Sequence, residues 1–125
     1  ALIGSTPEEP AATRMWVRRL DLNIIEPMAN GFRYAEGLAL FKNRIRTIPQ
    51  AADDLKAIAR EKLAWLDGQM AGPWIVGDRF TLADILLFGF LEFGAQVGQK
   101  LDDKLLKLND WYGRVAARES VAKSK

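Results

Sequence analysis

The chain has 125 residues, 49% hydrophobic and 27% charged, which suits one globular domain burying roughly two-thirds of its unfolded surface. Its formal net charge of +2 is scattered, with no Lys or Arg run long enough to track a nucleic-acid backbone. It holds no cysteine and no histidine, which excludes disulfides, thiolate and imidazole chemistry and zinc-finger ligation by this chain.

Residues 1–5 read as an extended piece of linker, with nothing that resembles a signal peptide. Thr6, Pro7 and Glu9 supply an N-cap, a proline at N1 and an acid at N3, so a helical segment is expected over 6–30. Pro10 removes an amide at N4 and predicts a distorted first turn or a regular helix beginning a few residues later. Met15, Leu22 and Arg19 share one side of this segment. Trp16, Leu20, Ile24 and Met28 share another, widened by Val17 and Ile25. Pro27 predicts a kink, and Asn30-Gly31 a stop.

Residues 32–45 read as a helix or a bent continuation of the first, with Phe32, Leu38, Leu40, Phe41 and Ile45 apolar and Arg33, Lys42, Arg44 and Arg46 facing water. A stronger helix is expected over 49–70. Its apolar positions Leu55, Ile58, Ala59, Leu63, Leu66 and Met70 recur at helical spacing until Gly72-Pro73 ends it. The segment 81–97 organises the rest. Thr81 and Asp84 have the spacing of a capping box, and Phe80 and Ile85 occupy the two positions of a hydrophobic staple. Past the cap no polar stripe remains, so this helix is expected to be enclosed on most sides by others. It is too short, and too interrupted by Glu92 and by Gly89, Gly94 and Gly98, to cross a membrane. Those glycines suggest close backbone approach or fraying. A last amphipathic helix is expected over 104–118, marked by Leu105, Leu108, Trp111, Tyr112 and Val115, with a short tail after it. The expectation is one all-α domain over 1–125, an orthogonal bundle of five helical segments.

Little in this pattern supports chemistry by the chain alone, and no catalytic residue and no metal ligand is expected. The serines, Ser5, Ser120 and Ser124, lie near the ends and have no histidine to activate them. Asp53-Asp54 and Asp102-Asp103 point to different sides of their helices and read as solvated starts or turns. Asp84 is accounted for by capping. Arg14, Arg18 and Arg19 make a positive shoulder that reads first as a solvated face and second as an anion-binding or interdomain surface.

The run GPWIVGDRFTLADILLFG closely resembles the segment that opens the central C-terminal helix of cytosolic glutathione S-transferases, with Gly77-Asp78 and the Thr81–Asp84 box in place. TPEEPAATRMWVRRLDLNIIEPMAN resembles the first helix of that domain in bacterial members. DDLKAIAREKLAWLDGQM resembles its partner, and NDWYGRVAARESV the closing helix, with Glu119 where many relatives have proline. The resemblance implies a cytoplasmic protein whose helical domain supplies the floor of the hydrophobic substrate site and much of a homodimer surface. It also implies a preceding thioredoxin-like N-terminal domain, absent from this sequence, that binds glutathione as cosubstrate and activates its thiol. On that likeness Met15, Trp16, Arg18, Arg19 and Leu22 would face the cleft and the missing domain. The first helix and the 49–70 helix would supply dimer contacts, and neither nucleic acid nor membrane is an implied partner. The chain is thus expected to be the C-terminal helical domain of a glutathione S-transferase, binding no cofactor and inactive alone. The alternative is a standalone helical module that binds a protein partner or an apolar ligand.

Overall fold

The computed structural model describes the backbone of residues 8–124 and the side chains of residues 10–118. The expected linker at residues 1–5, the Thr6–Pro7 cap and the Glu9 side chain lie outside the described residues. Helix α1 spans Glu8–Leu20 and runs without a break into a wide π-type turn, Asp21–Ile25, and then into α2, Glu26–Arg33. Pro10 stands within regular α1. Near a helix start the missing amide costs little, because first-turn N–H groups have no intrahelical acceptor. The distortion expected at Pro27 is instead a widened turn just before it, in which the Glu26 amide bonds to Asp21 O. Pro27 has no amide to give, and its ring crowds the carbonyl four residues back, so the chain changes register upstream of it.

Gly31 does not end this rod. It is buried inside α2, where a Cβ would come within 2.8 Å of Lys56 Cγ on α4. The glycine marks where two helices touch, and the chain continues to Arg33 before turning at Tyr34. The expected helix over 32–45 is likewise corrected. Turns at residues 34–37 lead to one helical turn, α3 (Leu38–Phe41), and then to irregular chain. Lys56 holds this loop to α4 by an ion pair with Glu36 at 2.6 Å.

Pro49–Ala51 forms a 3-10 turn that leads into α4, Ala52–Gln69. Helix α5, Leu82–Gln96, follows a tight turn in which Trp74 and Gly77 exchange both backbone hydrogen bonds, at 3.0 and 3.1 Å. Its end is a Schellman motif: Gln99 N–H donates to Gly94 O at 2.7 Å, with Gly98 at φ +86°. Helix α6 runs Leu106–Ser124, past the end expected at residue 118, because Glu119 and its successors include no helix breaker.

The core gathers Leu20, Ile24 and Met28 from the first rod, Leu63 and Leu66 from α4, Leu87 and Leu91 from α5, and Leu108, Trp111 and Val115 from α6. Helix α5 is less enclosed than its composition suggests. Leu82, Ile85 and Gly89, at 3- and 4-residue spacing, form a stripe open to solvent. The absence of a polar stripe implies enclosure on most sides, and the side left uncovered is this apolar stripe.

Candidate functional site

The buried start of α5 holds a polar cluster centred on Asp84. Thr81 has extended backbone, and both arms of the capping box are present. Asp84 Oδ2 accepts from Thr81 N at 2.8 Å. Its other oxygen accepts from Ile75 N at 2.9 Å and from Trp111 Nε1 at 2.7 Å. The carboxylate is fully buried, and neutral N–H donors with the positive end of a helix dipole satisfy it. With three donors on its two oxygens and no solvent access, it joins α5, the 74–77 turn and α6 and is not presented to a substrate. Phe80 sits edge-on to Trp74, at 5.1 Å between centroids, beneath the Arg118 guanidinium, while Ile85 lies at the open stripe.

That stripe borders an apolar groove of about 620 Å³. Ala29, Phe32 and Arg33 of α2 form one wall, and Phe41 of α3 closes one end. Ile85, Leu86, Gly89, Phe90 and Phe93 of α5 form the other wall. The rings lock by edge contacts: Phe32 meets Phe93 at 5.0 Å and Phe41 at 6.3 Å, and Phe90 meets Phe93 at 6.4 Å. Edge-to-face contacts of this kind are favourable and tie the rings of α2, α3 and α5 together. The size and apolar lining are those of a small-molecule site. Arg33 is the one charged residue among those lining it.

None of the five cleft candidates on the first rod lines this groove. Met15 and Leu22 are 42% and 44% exposed. Trp16 packs on Trp65 at 6.1 Å, with Arg19 stacked 5.1 Å from the Trp16 ring. Arg18 lines a smaller crevice with Thr13, Arg14, Val17 and Asp21 of the first rod and Leu82 of α5, and Arg19 lines another with Asn23, Lys62, Trp65 and Gln69. The structure therefore separates the positive shoulder of α1 from the apolar groove. Sequence reasoning missed the groove because its walls come from α2 and α5, more than fifty residues apart. The one local signal was Gly89 within the apolar stripe of α5. Among the described residues no cluster of three or more His, Cys, Asp or Glu could hold a metal ion, and no helix is long and apolar enough to cross a membrane.

Known proteins with similar sequences and folds share one theme. Glutathione S-transferase 2 of Saccharomyces cerevisiae is 29% identical over 133 residues, spanning 98% of this chain and 53% of that protein. Glutathionyl-hydroquinone reductase PcpF of Sphingobium chlorophenolicum is 30% identical over 130 residues, 96% of this chain and 39% of that protein. The chain thus spans about half or less of the length of these curated relatives. Among solved structures, Gtt2 from Saccharomyces cerevisiae superposes with a TM-score of 0.83 at 26% identity, covering 98% of this chain and 59% of that one. A glutathione S-transferase domain-containing protein of Marinobacter aquaeolei gives 0.81 at 27%, covering 96% and 59%. Residues 31–119 match the family described as glutathione S-transferase, C-terminal domain, and the chain belongs to that family.

Proposed function

We propose that this chain is the helical half of a glutathione transferase, and that the groove between α2, α3 and α5 is the apolar floor on which an electrophilic substrate rests. A thioredoxin-like domain would hold glutathione and activate its thiol. The thiolate sulfur would then bond to the electrophilic carbon, a leaving group such as halide would depart, and the thiol proton would go to solvent. The observation that supports this reading is the open, Phe-lined groove itself, built from residues with no acid–base chemistry of their own. On the same reading Met15, Trp16, Arg18, Arg19 and Leu22 face the second domain, and α1 with α4 supplies the surface for a second copy. The exposed Met15, Leu22, Ile58 and Trp65 support that role.

A conjugation assay with a generic aryl halide tests it. The chain alone should give no turnover above the uncatalysed rate. Joined to its thioredoxin-like domain, it should turn over, and Gly89→Leu should raise KM for the halide about tenfold while leaving KM for glutathione unchanged. A Cβ at Gly89 meets nothing within 4 Å, so the larger side chain enters the groove without disturbing the core. Turnover by the chain alone that a substitution within it abolishes would contradict the proposal. The completeness of the groove within this one chain also favours a second reading, a module that binds an apolar ligand without conjugating it. Ligand binding with no turnover in the joined protein would select that reading.

A further inference from the structure

We propose that the connection between α2 and α4 docks on an anionic lipid surface, its cations meeting headgroup phosphates and its aliphatic side chains entering the acyl boundary. The proposal does not depend on the reading of the groove. Residues 38–51, which hold α3 and the irregular chain after it, contribute no buried residue. Leu40, Ile45 and Ile48 are 64%, 42% and 40% exposed there. Interleaved with them are Lys42, Arg44 and Arg46, all exposed. Among the described residues none of these three cations forms an ion pair, a side-chain hydrogen bond or a ring contact. No acid stands between Gly37 and Ala52, so three positive charges within five residues exceed the net +2 of the whole chain. Of the nearest acids, Glu36 is held by Lys56 at 2.6 Å. Asp53 and Asp54 sit in the first turn of α4, where the helix dipole favours them.

The mixture of side chains selects the partner. An acidic peptide or a nucleic-acid backbone would answer the cations but leave three large aliphatic side chains in water. Bases would also find no ring to stack on, because the one aromatic of the tract, Phe41, is packed edge-on against Phe32. The headgroup region of an anionic bilayer accepts both kinds of side chain. Its phosphates pair with Lys and Arg, whose stems lie along apolar surface, while aliphatic groups pass below the headgroups. The tract joins the end of α2 to the start of α4, and these helices pack together, so it projects at one end of the pair and can meet a plane. Such a contact needs no spanning helix. Each cation near an anionic membrane adds roughly fivefold to partition, so three give on the order of a hundredfold, reduced by Asp53 and Asp54 alongside.

Co-sedimentation at low salt with vesicles of phosphatidylcholine alone, and of phosphatidylcholine with an equal part of phosphatidylglycerol, tests this on the 125-residue chain. The chain should partition at least about tenfold more strongly onto the anionic vesicles, and raised salt should lessen the difference. Lys42→Gln, Arg44→Gln and Arg46→Gln together should abolish the preference. Arg60→Gln, Lys100→Gln and Lys104→Gln together remove the same charge from exposed positions elsewhere and should keep most of it. Ile45→Ser with Ile48→Ser should weaken binding to the anionic vesicles several-fold. Equal partition onto the two kinds of vesicle would overturn the proposal, as would a preference that survives the first triple variant or is lost equally in the second. Unchanged binding by the serine variant would also overturn it, because a purely electrostatic contact fits any polyanion. Capture by a poly-glutamate peptide that needs the same three cations, with no binding to vesicles, would assign the tract to an acidic protein segment instead.

Discussion

Asp84 shows how far a single residue can be read from spacing and where that reading stops. Thr81 three residues before Asp84 implied one acceptor for one helix-start amide, and both arms of that box are present. Spacing could not show that the same carboxylate also takes the Ile75 amide and the Trp111 indole, because those donors lie 9 and 27 residues away. The extra partners change the expected magnitudes. Thr81→Ala removes one cap and should cost roughly 0.5–2 kcal/mol. Asp84→Ala strands three buried donors and should cost on the order of 3 kcal/mol or more. In urea unfolding the double variant should lose less than the sum of the singles, since both residues close one box. Strict additivity, or an Asp84→Ala loss no larger than that of Thr81→Ala, would contradict the geometry. Tyr112 gives a pH prediction at the same scale. Burial, and to a lesser extent the Glu92 charge, raises its phenol above the ordinary 10.0. Folding then favours the protonated form, so this contribution is intact below about pH 10 and lost as pH rises through the folded value. Stability should therefore fall above about pH 10, and Tyr112→Phe should make unfolding curves at alkaline pH decline less steeply.

At the level of elements, hydrophobic periodicity identified the long helices but not the turns that replace the expected helix over 32–45, and it left the roles of the glycines open. Gly89, Gly94 and Gly98 were alike in sequence as interruptions of one apolar run. In the structure they do three different things. Gly98 takes the left-handed turn that ends α5. At Gly94 a Cβ would meet Met28 Cε at 2.5 Å and the Gln99 carbonyl at 2.8 Å. Gly89 faces open space. Gly89→Ala should stabilise the chain by about 0.5–1 kcal/mol, the ordinary gain of Ala over Gly in an open helix interior. Gly94→Ala should destabilise it despite the same gain in propensity, because a backbone carbonyl must move. Chemical denaturation of the two variants reads the sign directly, and two shifts in the same direction would refute the assignment. The π-type turn before Pro27 and the passage of Gly31 through α2 were illegible for a related reason. Proline and glycine signal a break, but packing against α4 decides whether the chain breaks or only shifts register.

For the whole molecule, the apolar residues that identify the fold in sequence do not all serve the core. Met15, Leu22, Ile58 and Trp65 remain about two-fifths exposed on the first rod and α4, and the groove opens on α2 and α5. Periodicity cannot separate apolar residues that pack within a domain from those awaiting a partner, since both follow the helical repeat. The chain should therefore self-associate, with sedimentation showing a concentration-dependent rise in mass that Met15→Lys with Leu22→Lys suppresses. A strictly monomeric species into the hundred-micromolar range, with no apolar dye bound, would contradict this. The family was legible in the run from Gly72 to Gly89, where cap, turn and apolar helix coincide. The groove was not, because no stretch of sequence contains both of its walls. The most direct test of the central claim is an amide chemical-shift map of the chain titrated with 2-(2-naphthyl)ethanol. The account predicts shifts clustered at Phe32, Arg33, Ile85, Gly89, Phe90 and Phe93, with Met15 to Leu22 unmoved. Shifts centred on Met15 to Leu22, with the groove silent, would contradict it.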